Sequence, residues 1–122
     1  MPKRRYTIAT DFDGVIHSFQ TPWISPHVIV DLPVPGAIEW LNAIVRDFDV
    51  VILTTRAATA AGCDAVWEWL IENGYTGPRL RVTAQKPPAL VYIDDRGWRF
   101  EGVFPSAEDV YRARPWHKRM SA

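Results

Sequence analysis

The sequence predicts an α/β protein with a parallel, doubly wound sheet, and three observations point there. Short apolar runs alternate along the chain with stretches of helical period. One run, "DVVILTTR" (49–56), is apolar without alternation, as suits a central parallel strand covered on both faces. Three of the runs end in polar clusters: Asp11/Asp13, Thr54/Thr55/Arg56 and Asp94/Asp95.

The elements follow in order. "YTIAT" (6–10) is rich in β-formers and reads as a strand feeding into Asp11. Residues 18–35 carry Pro22, Pro26, Pro33 and Pro35 and little helical period, so they are expected to form an extended flap with a small hairpin around "HVIVDL" (27–32). After Pro35-Gly36, the residues Ala37, Trp40, Leu41, Ile44, Val45 and Phe48 recur at helical spacing, with Glu39, Asn42 and Arg46 on another face. The run at 49–56 follows. A second helix is expected over 59–73, stopped by Asn73-Gly74 as a left-handed C-terminal residue stops helices. "RLRVT" (79–83) reads as a short strand, and after a loop or short helix "ALVYIDD" (89–95) reads as the last.

Length and composition fit one domain over 1–122, with half the residues apolar and six tryptophans to fill a core. Lys plus Arg equals Asp plus Glu, so overall charge gives no ground for generic attraction to nucleic acid or membrane. Basic residues do gather at "KRR" (3–5) and in the tail 111–122, where solvated termini are the ordinary explanation and ligand binding the alternative. A single cysteine, Cys63, excludes an internal disulfide and fits a reducing compartment; its helical neighbours Val66, Trp67 and Leu70 make it a packed thiol. Neither a signal-peptide stretch nor a bilayer-length apolar run is visible, so a cytoplasmic location without membrane partners is expected.

In open parallel sheets ligands bind beyond the carboxyl ends of the strands. A lone Asp there is a helix cap or a turn residue. Four carboxylates gathered on one rim repel unless protonated or bound to a cation, and with neither His nor Cys at the strand ends the suitable ion is hard and oxygen-preferring, such as Mg2+.

"DFDGVIH" (11–17) resembles the first motif of the haloacid dehalogenase (HAD) superfamily in its phosphatase form, Asp-x-Asp-Gly. "VVILTT" (50–55) resembles the second motif, and "QKPPALVYIDD" (85–95) the third and fourth together. "PVPGAIEWL" (33–41) is similar to the segment that opens the first helix after the flap. The resemblance covers about residues 6–104 in family order. It implies a Rossmann-like (HAD-type) three-layer sandwich with a central parallel sheet, a small flap after the first strand and no inserted cap domain.

It also implies roles. Asp11 would attack a phosphoryl group to form an aspartyl-phosphate. Asp13 would protonate the leaving oxygen and then activate water, and its backbone carbonyl would join the metal site. Thr54 would hydrogen-bond a phosphoryl oxygen and Lys86 would balance negative charge. Asp94, with Asp95 directly or through water, would complete a Mg2+ site with Asp11 and Asp13. Relatives that cleave carbon–halogen or carbon–phosphorus bonds lack an acid at the place of Asp13, so its presence implies phosphate-ester hydrolysis or phosphoryl transfer.

The gap from Asp11 to Thr54 is filled by the flap and one helix, and that from Thr54 to Lys86 by one helix and one strand. Neither leaves room for a cap, so the expected rim is open. Such a rim suits a large phosphorylated substrate, such as a nucleic-acid end or a phosphoprotein, or a small molecule enclosed by a partner subunit; oligomeric state is left open. "TTR" (54–56) resembles the Thr/Ser-x-Arg of phosphatase domains acting on polynucleotide ends, which gives Thr55 and Arg56 a substrate-binding role; Arg56 suits a helix cap or a pair with a rim acid equally well. Trp23 and Trp98 are candidates for stacking on a base, with Trp packing as the ordinary alternative, and His17 is read as a turn residue with a substrate role as the alternative. The expected function is therefore a Mg2+-dependent phosphomonoester hydrolase on nucleotide or polynucleotide phosphate ends. Its alternatives are a phosphotransferase, a metal nuclease, and a non-catalytic module binding phosphate or protein on the same fold.

Overall fold

The computed structural model describes residues 5–116. Four strands form one all-parallel open sheet: β1 (Thr7–Asp11), β2 (Asp49–Leu53), β3 (Arg81–Thr83) and β4 (Val91–Ile93), in the order β3-β2-β1-β4. Three α-helices accompany them, α1 (Ala37–Ile44), α2 (Ala60–Glu72) and α3 (Ala107–Arg112), with a turn of 3-10 helix over Thr55–Ala58. The chain therefore builds outward from β1 to β2 and β3, then returns to lay β4 on the other side of β1. That reversal puts the topological switch point, where such sheets bind ligands, between β1 and β4.

Register fixes what meets there. Thr10 is level with Ile52 on one side and Ile93 on the other, and Asp11 is level with Leu53. The next residues along, Thr54 and Asp94, leave their strands beside Asp11.

Side-chain alternation sorts the core. Ile8 and Phe12 of the first strand and its extension join Val50 and Ile52 in one apolar cluster with Ile38 and Leu41 of α1 and Val66, Trp69 and Leu70 of α2. Both helices thus cover the same face of the sheet. Ala9 and Val51, which point the other way, are buried as well, and α3 buries none of its side chains. Among the described residues no helix is long and apolar enough to cross a membrane.

The helix ends obey local chemistry. Gly36 takes φ +85° ahead of α1, a conformation that a side chain would strain. α1 ends at Ile44, short of the apolar period that continues to Phe48, and residues 45–48 continue as tight turns. Arg5 grips that end, donating from Nη2 to the carbonyls of Val45 at 2.7 Å and Phe48 at 3.0 Å and from Nε to Asp49 at 2.8 Å. The one described residue of "KRR" therefore serves the fold; Lys3 and Arg4 lie outside the described residues. Thr59 caps α2 by accepting from the Gly62 N–H at 3.0 Å. At the other end Gly74, at φ +103°, closes a Schellman motif, with the Tyr75 N–H reaching Leu70 O and the Gly74 N–H reaching Ile71 O. Cys63 is half-buried, its thiol directed at the carbonyls of Ala57 and Val82.

Two expectations change. The flap forms no hairpin at 27–32; it is held instead by isolated bridges at His17 and Pro33 and by side-chain contacts. α3 occupies part of what composition marked as a basic tail. It opens on a reciprocal capping box between Ser106 and Asp109 and carries an exposed Arg112–Glu108 pair. Residues 117–122 of that tail lie outside the described residues.

Candidate active site

A cleft of about 460 Å³ opens at the carboxyl ends of β1 and β2. Of the residues singled out in the sequence, Asp11, Asp13, Thr54, Thr55, Lys86, Asp95 and Trp23 line it, joined by Arg96. Asp94, which is exposed, and Arg56, which is buried, are not among the lining residues.

Asp11 ends β1, half-exposed to the cleft. Burial, and then the negative charges of Asp94, Asp95 and Asp13, push its carboxyl up from 3.8 to about 6, with Arg96 pulling the other way. A carboxylate so placed favours either a proton or a cation.

Asp13 follows in the turn that Gly14 permits at φ +85°. Its carboxylate is held from two sides. Arg56 donates from Nε to Oδ2 at 2.9 Å and from Nη2 to Oδ1 at 3.1 Å, a two-point fork. His17 Nδ1 lies 2.8 Å from Oδ1. The other ring nitrogen, Nε2, accepts the backbone N–H of Asp31 at 3.1 Å, which leaves Nδ1 to donate to Asp13. Burial alone would raise the Asp13 pKa, but the hydrogen bonds from His17 and Arg56 and the Arg56 charge outweigh it and hold the carboxyl below its ordinary value.

Arg56 is 2% exposed, an unusual place for a guanidinium. Besides Asp13 it serves the flap, its Nη1 donating to the carbonyls of Ser25, Pro26 and Val28 at 3.0–3.1 Å. The ring of Trp23 lies 4.4 Å from its carbon Cζ. Of the uses the sequence left open for Arg56, the geometry shows the pair with a rim acid.

Thr54 ends the extended run at φ −156° and its hydroxyl oxygen accepts from the Arg56 N–H at 3.2 Å, leaving the hydroxyl proton to donate into the cleft. Strand alternation would send Thr54 and Thr55 to opposite faces. The chain instead enters the 3-10 turn at Thr55, so both reach the cleft. Lys86 lies on the loop before β4 with its Nζ 4.4 Å from the Tyr92 ring centre. Asp94 spends one oxygen on the turn, accepting from the backbone N–H groups of Arg96 and Gly97, while Asp95 faces the cleft. Trp98 and Arg99 are exposed, and Trp98 lines a separate shallow depression shared with Arg112.

His17, read from the sequence as a turn residue with a substrate role as the alternative, is instead a partner of Asp13 at the candidate site. It is buried, stacked on Phe12 and edge-on to Trp69. Its signal was present in a histidine four residues after Asp13, across a glycine turn.

A metal would meet an all-oxygen set here. Among the described residues no three His, Cys, Asp or Glu side chains are gathered so as to hold an ion by themselves. Mg2+ asks for less: one or two carboxylates, with waters and substrate phosphate filling the rest of its shell. Carboxylate oxygens without His or Cys are the donors such an ion takes, and a cation would relieve the repulsion that adds to burial in raising Asp11.

The fold and cleft define an α/β protein with a carboxylate-bearing cleft at the carboxyl ends of the strands of an open parallel sheet. Comparisons with protein-family models, with curated proteins and with solved structures found no match to this chain.

Proposed function

We propose that this protein is a Mg2+-dependent phosphomonoester hydrolase of the haloacid dehalogenase superfamily, working through an aspartyl-phosphate on Asp11. In this proposal the sheet is the middle layer of a HAD-type sandwich whose rim carries no cap. One observation carries it: Asp11, Asp13, Thr54, Lys86 and Asp95, drawn from four separate stretches of chain, line a single cleft beyond the strand ends.

Asp11 and Asp95, with the backbone carbonyl of Asp13, would hold the ion, and Asp94 would fix the turn that presents Asp95. Mg2+, when bound, supplies the positive charge that lets a carboxylate approach a phosphate dianion. A carboxylate oxygen of Asp11 forms a bond to phosphorus as the bond from phosphorus to the ester oxygen breaks. The Thr54 hydroxyl and the Lys86 ammonium donate to the phosphoryl oxygens as charge moves onto them. Asp13 gives its proton to the departing ester oxygen. It then takes one from the water that attacks phosphorus, which releases inorganic phosphate and restores Asp11.

Asp13 needs a proton for the first step, yet His17 and Arg56 hold it ionised. Arrival of a phosphate dianion raises the pKa of a neighbouring carboxyl, so the acid form is populated with substrate bound.

The test is phosphate release from a panel of monoesters with and without Mg2+, beside Asp11→Asn. Release that needs Mg2+ and is lost in the variant is expected, with the phosphorylated side chain of Asp11 visible by mass spectrometry after rapid quench. Release that survives Asp11→Asn sinks the covalent route, and phosphodiester cleavage without a phosphorylated Asp11 would indicate a metal nuclease. No release from any ester would leave a module that binds phosphate without cleaving it.

A further inference from the structure

The flap carries two aromatic side chains into the cleft, and the roles above use neither. Phe19 and Trp23 line it together with Asp11, Asp13 and Asp95. Phe19 holds φ +51°, the one described non-glycine residue in the left-handed region, a conformation that costs free energy and persists where surrounding contacts enforce it. Trp23 is 47% exposed although it sits among the best-anchored parts of the flap.

That anchoring is extensive. Asp31 accepts from the N–H groups of Gln20 and Thr21 and from the Thr21 hydroxyl, all within 2.8 Å. Three carbonyls beyond Trp23 are tied to the buried Arg56. Arg56 also lies against the Trp23 ring, and Phe19 meets that ring edge-on at 6.5 Å. A half-exposed indole on a fixed backbone, with a guanidinium against it, is a platform prepared before any ligand arrives.

We propose that Trp23, flanked by Phe19, is the stacking subsite for a nucleobase whose nucleotide presents its phosphate to Asp11. The substrate class is thus a nucleoside monophosphate or the phosphorylated terminal nucleotide of a strand, two sources of one chemistry. The proposal rests on the hydrolase function proposed above. Bases of every kind offer a π-face, so such a platform binds nucleotides with little sequence preference. The cleft volume of about 460 Å³ lies in the range of about 300–1,000 Å³ usual for small-molecule sites. Thr55, Lys86 and Arg96 on its walls offer donors to a sugar or to a neighbouring phosphate.

The experiment is calorimetric titration of Asp11→Asn, which keeps esters intact, with AMP, ribose 5-phosphate, adenosine, O-phosphotyrosine and short oligonucleotides phosphorylated at either end. The same series is run with Trp23→Ala and Trp23→Phe added. AMP is expected to bind about tenfold more tightly than ribose 5-phosphate. Trp23→Ala should bring that ratio close to one, and Trp23→Phe should restore most of it. Oligonucleotides that outbind AMP would assign a strand end, and equal affinity a mononucleotide; both support the subsite. Equal binding of AMP and ribose 5-phosphate, a ratio indifferent to Trp23, or preference for O-phosphotyrosine overturns it.

Phosphate release by the protein with Asp11 intact, measured on the same esters, separates the two proposals. Stacking through Trp23 without release from any ester leaves the subsite and removes the hydrolase. Release from AMP and ribose 5-phosphate at equal efficiency, unmoved in ratio by Trp23→Ala, keeps the hydrolase and removes the subsite.

Discussion

Arg56 reaches Asp13 across 43 positions of sequence and meets it with Nε 2.9 Å from Oδ2, while the remaining arm of the same guanidinium ties down the flap. One buried side chain thus sets both the orientation of a cleft carboxylate and the path of the loop over it. Its removal leaves a poorly solvated carboxylate and three carbonyls without their donor. Arg56→Ala should therefore cost about 3 kcal/mol in urea unfolding. Arg56→Lys should recover only part, because a point charge cannot reproduce a planar fork. Proteolysis within residues 20–30 should rise in both variants; unchanged protection there would mean that the flap is held by Asp31 alone.

Gly62 stands in the first turn of α2 where an added Cβ would lie 1.8 Å from the carbonyl oxygen of Arg56. In an open helix Gly→Ala stabilises by about 1 kcal/mol. Here the backbone of Arg56 must move, so Gly62→Ala should destabilise by about 1–3 kcal/mol and weaken the Asp13 contact with it. A thermal melt gives the sign directly. A stabilised variant would show that the 3-10 turn yields without cost.

These two cases show what the sequence disclosed and what it did not. Apolar runs ending in Asp11 and Thr54 were legible because central parallel strands bury both faces and shed polarity at their ends, whereas the run ending at Asp94 is an edge strand whose Val91 and Tyr92 stay exposed. Asn73-Gly74 was legible because a helix stop has local chemistry. Of the partners of Asp13, Arg56 was open to pairing with a rim acid among other uses, whereas His17 was read as a turn residue because four positions along an irregular turn carry no periodicity. The hairpin expected at 27–32 does not form, and Asp31 turns its side chain onto the N–H groups of Gln20 and Thr21 instead. In α3, the Ser106…Asp109 capping signal lay in plain view beside a basic composition that masked it.

Asp11 should make the protein less stable at neutral pH than in mild acid when no divalent cation is present. Its folded pKa, about 6, lies above the ordinary 3.8. Below 3.8 the carboxyl is protonated in both states and contributes no difference. Between 3.8 and about 6 the unfolded chain ionises first, so stability falls with rising pH and then levels off. Allowing for solvent screening of a half-exposed group, the loss at pH 7 is about 1–2 kcal/mol. Asp11→Asn in EDTA should recover it at pH 7 and change little at pH 4. The same gain at both values would trace the effect to packing and not to ionisation.

His17 offers the reverse case. His17→Phe keeps an aromatic ring between Phe12 and Trp69 but removes the donor to Asp13 and the acceptor for the Asp31 N–H. The unpaired groups should cost about 1–3 kcal/mol. A carboxylate that loses a donor holds its proton more readily, so the Asp13 pKa rises toward the ordinary value. The stability that Asp13 contributes is present above its unfolded pKa of about 3.8 and is lost as pH falls through the lower folded value. In His17→Phe that acid-side loss should still begin near the unfolded value but be smaller and complete at higher pH, and carbon-detected NMR titration of the Asp13 carboxyl reads the shift independently of activity. An Asp13 titration unmoved by the substitution would leave Arg56 as the group that sets its charge.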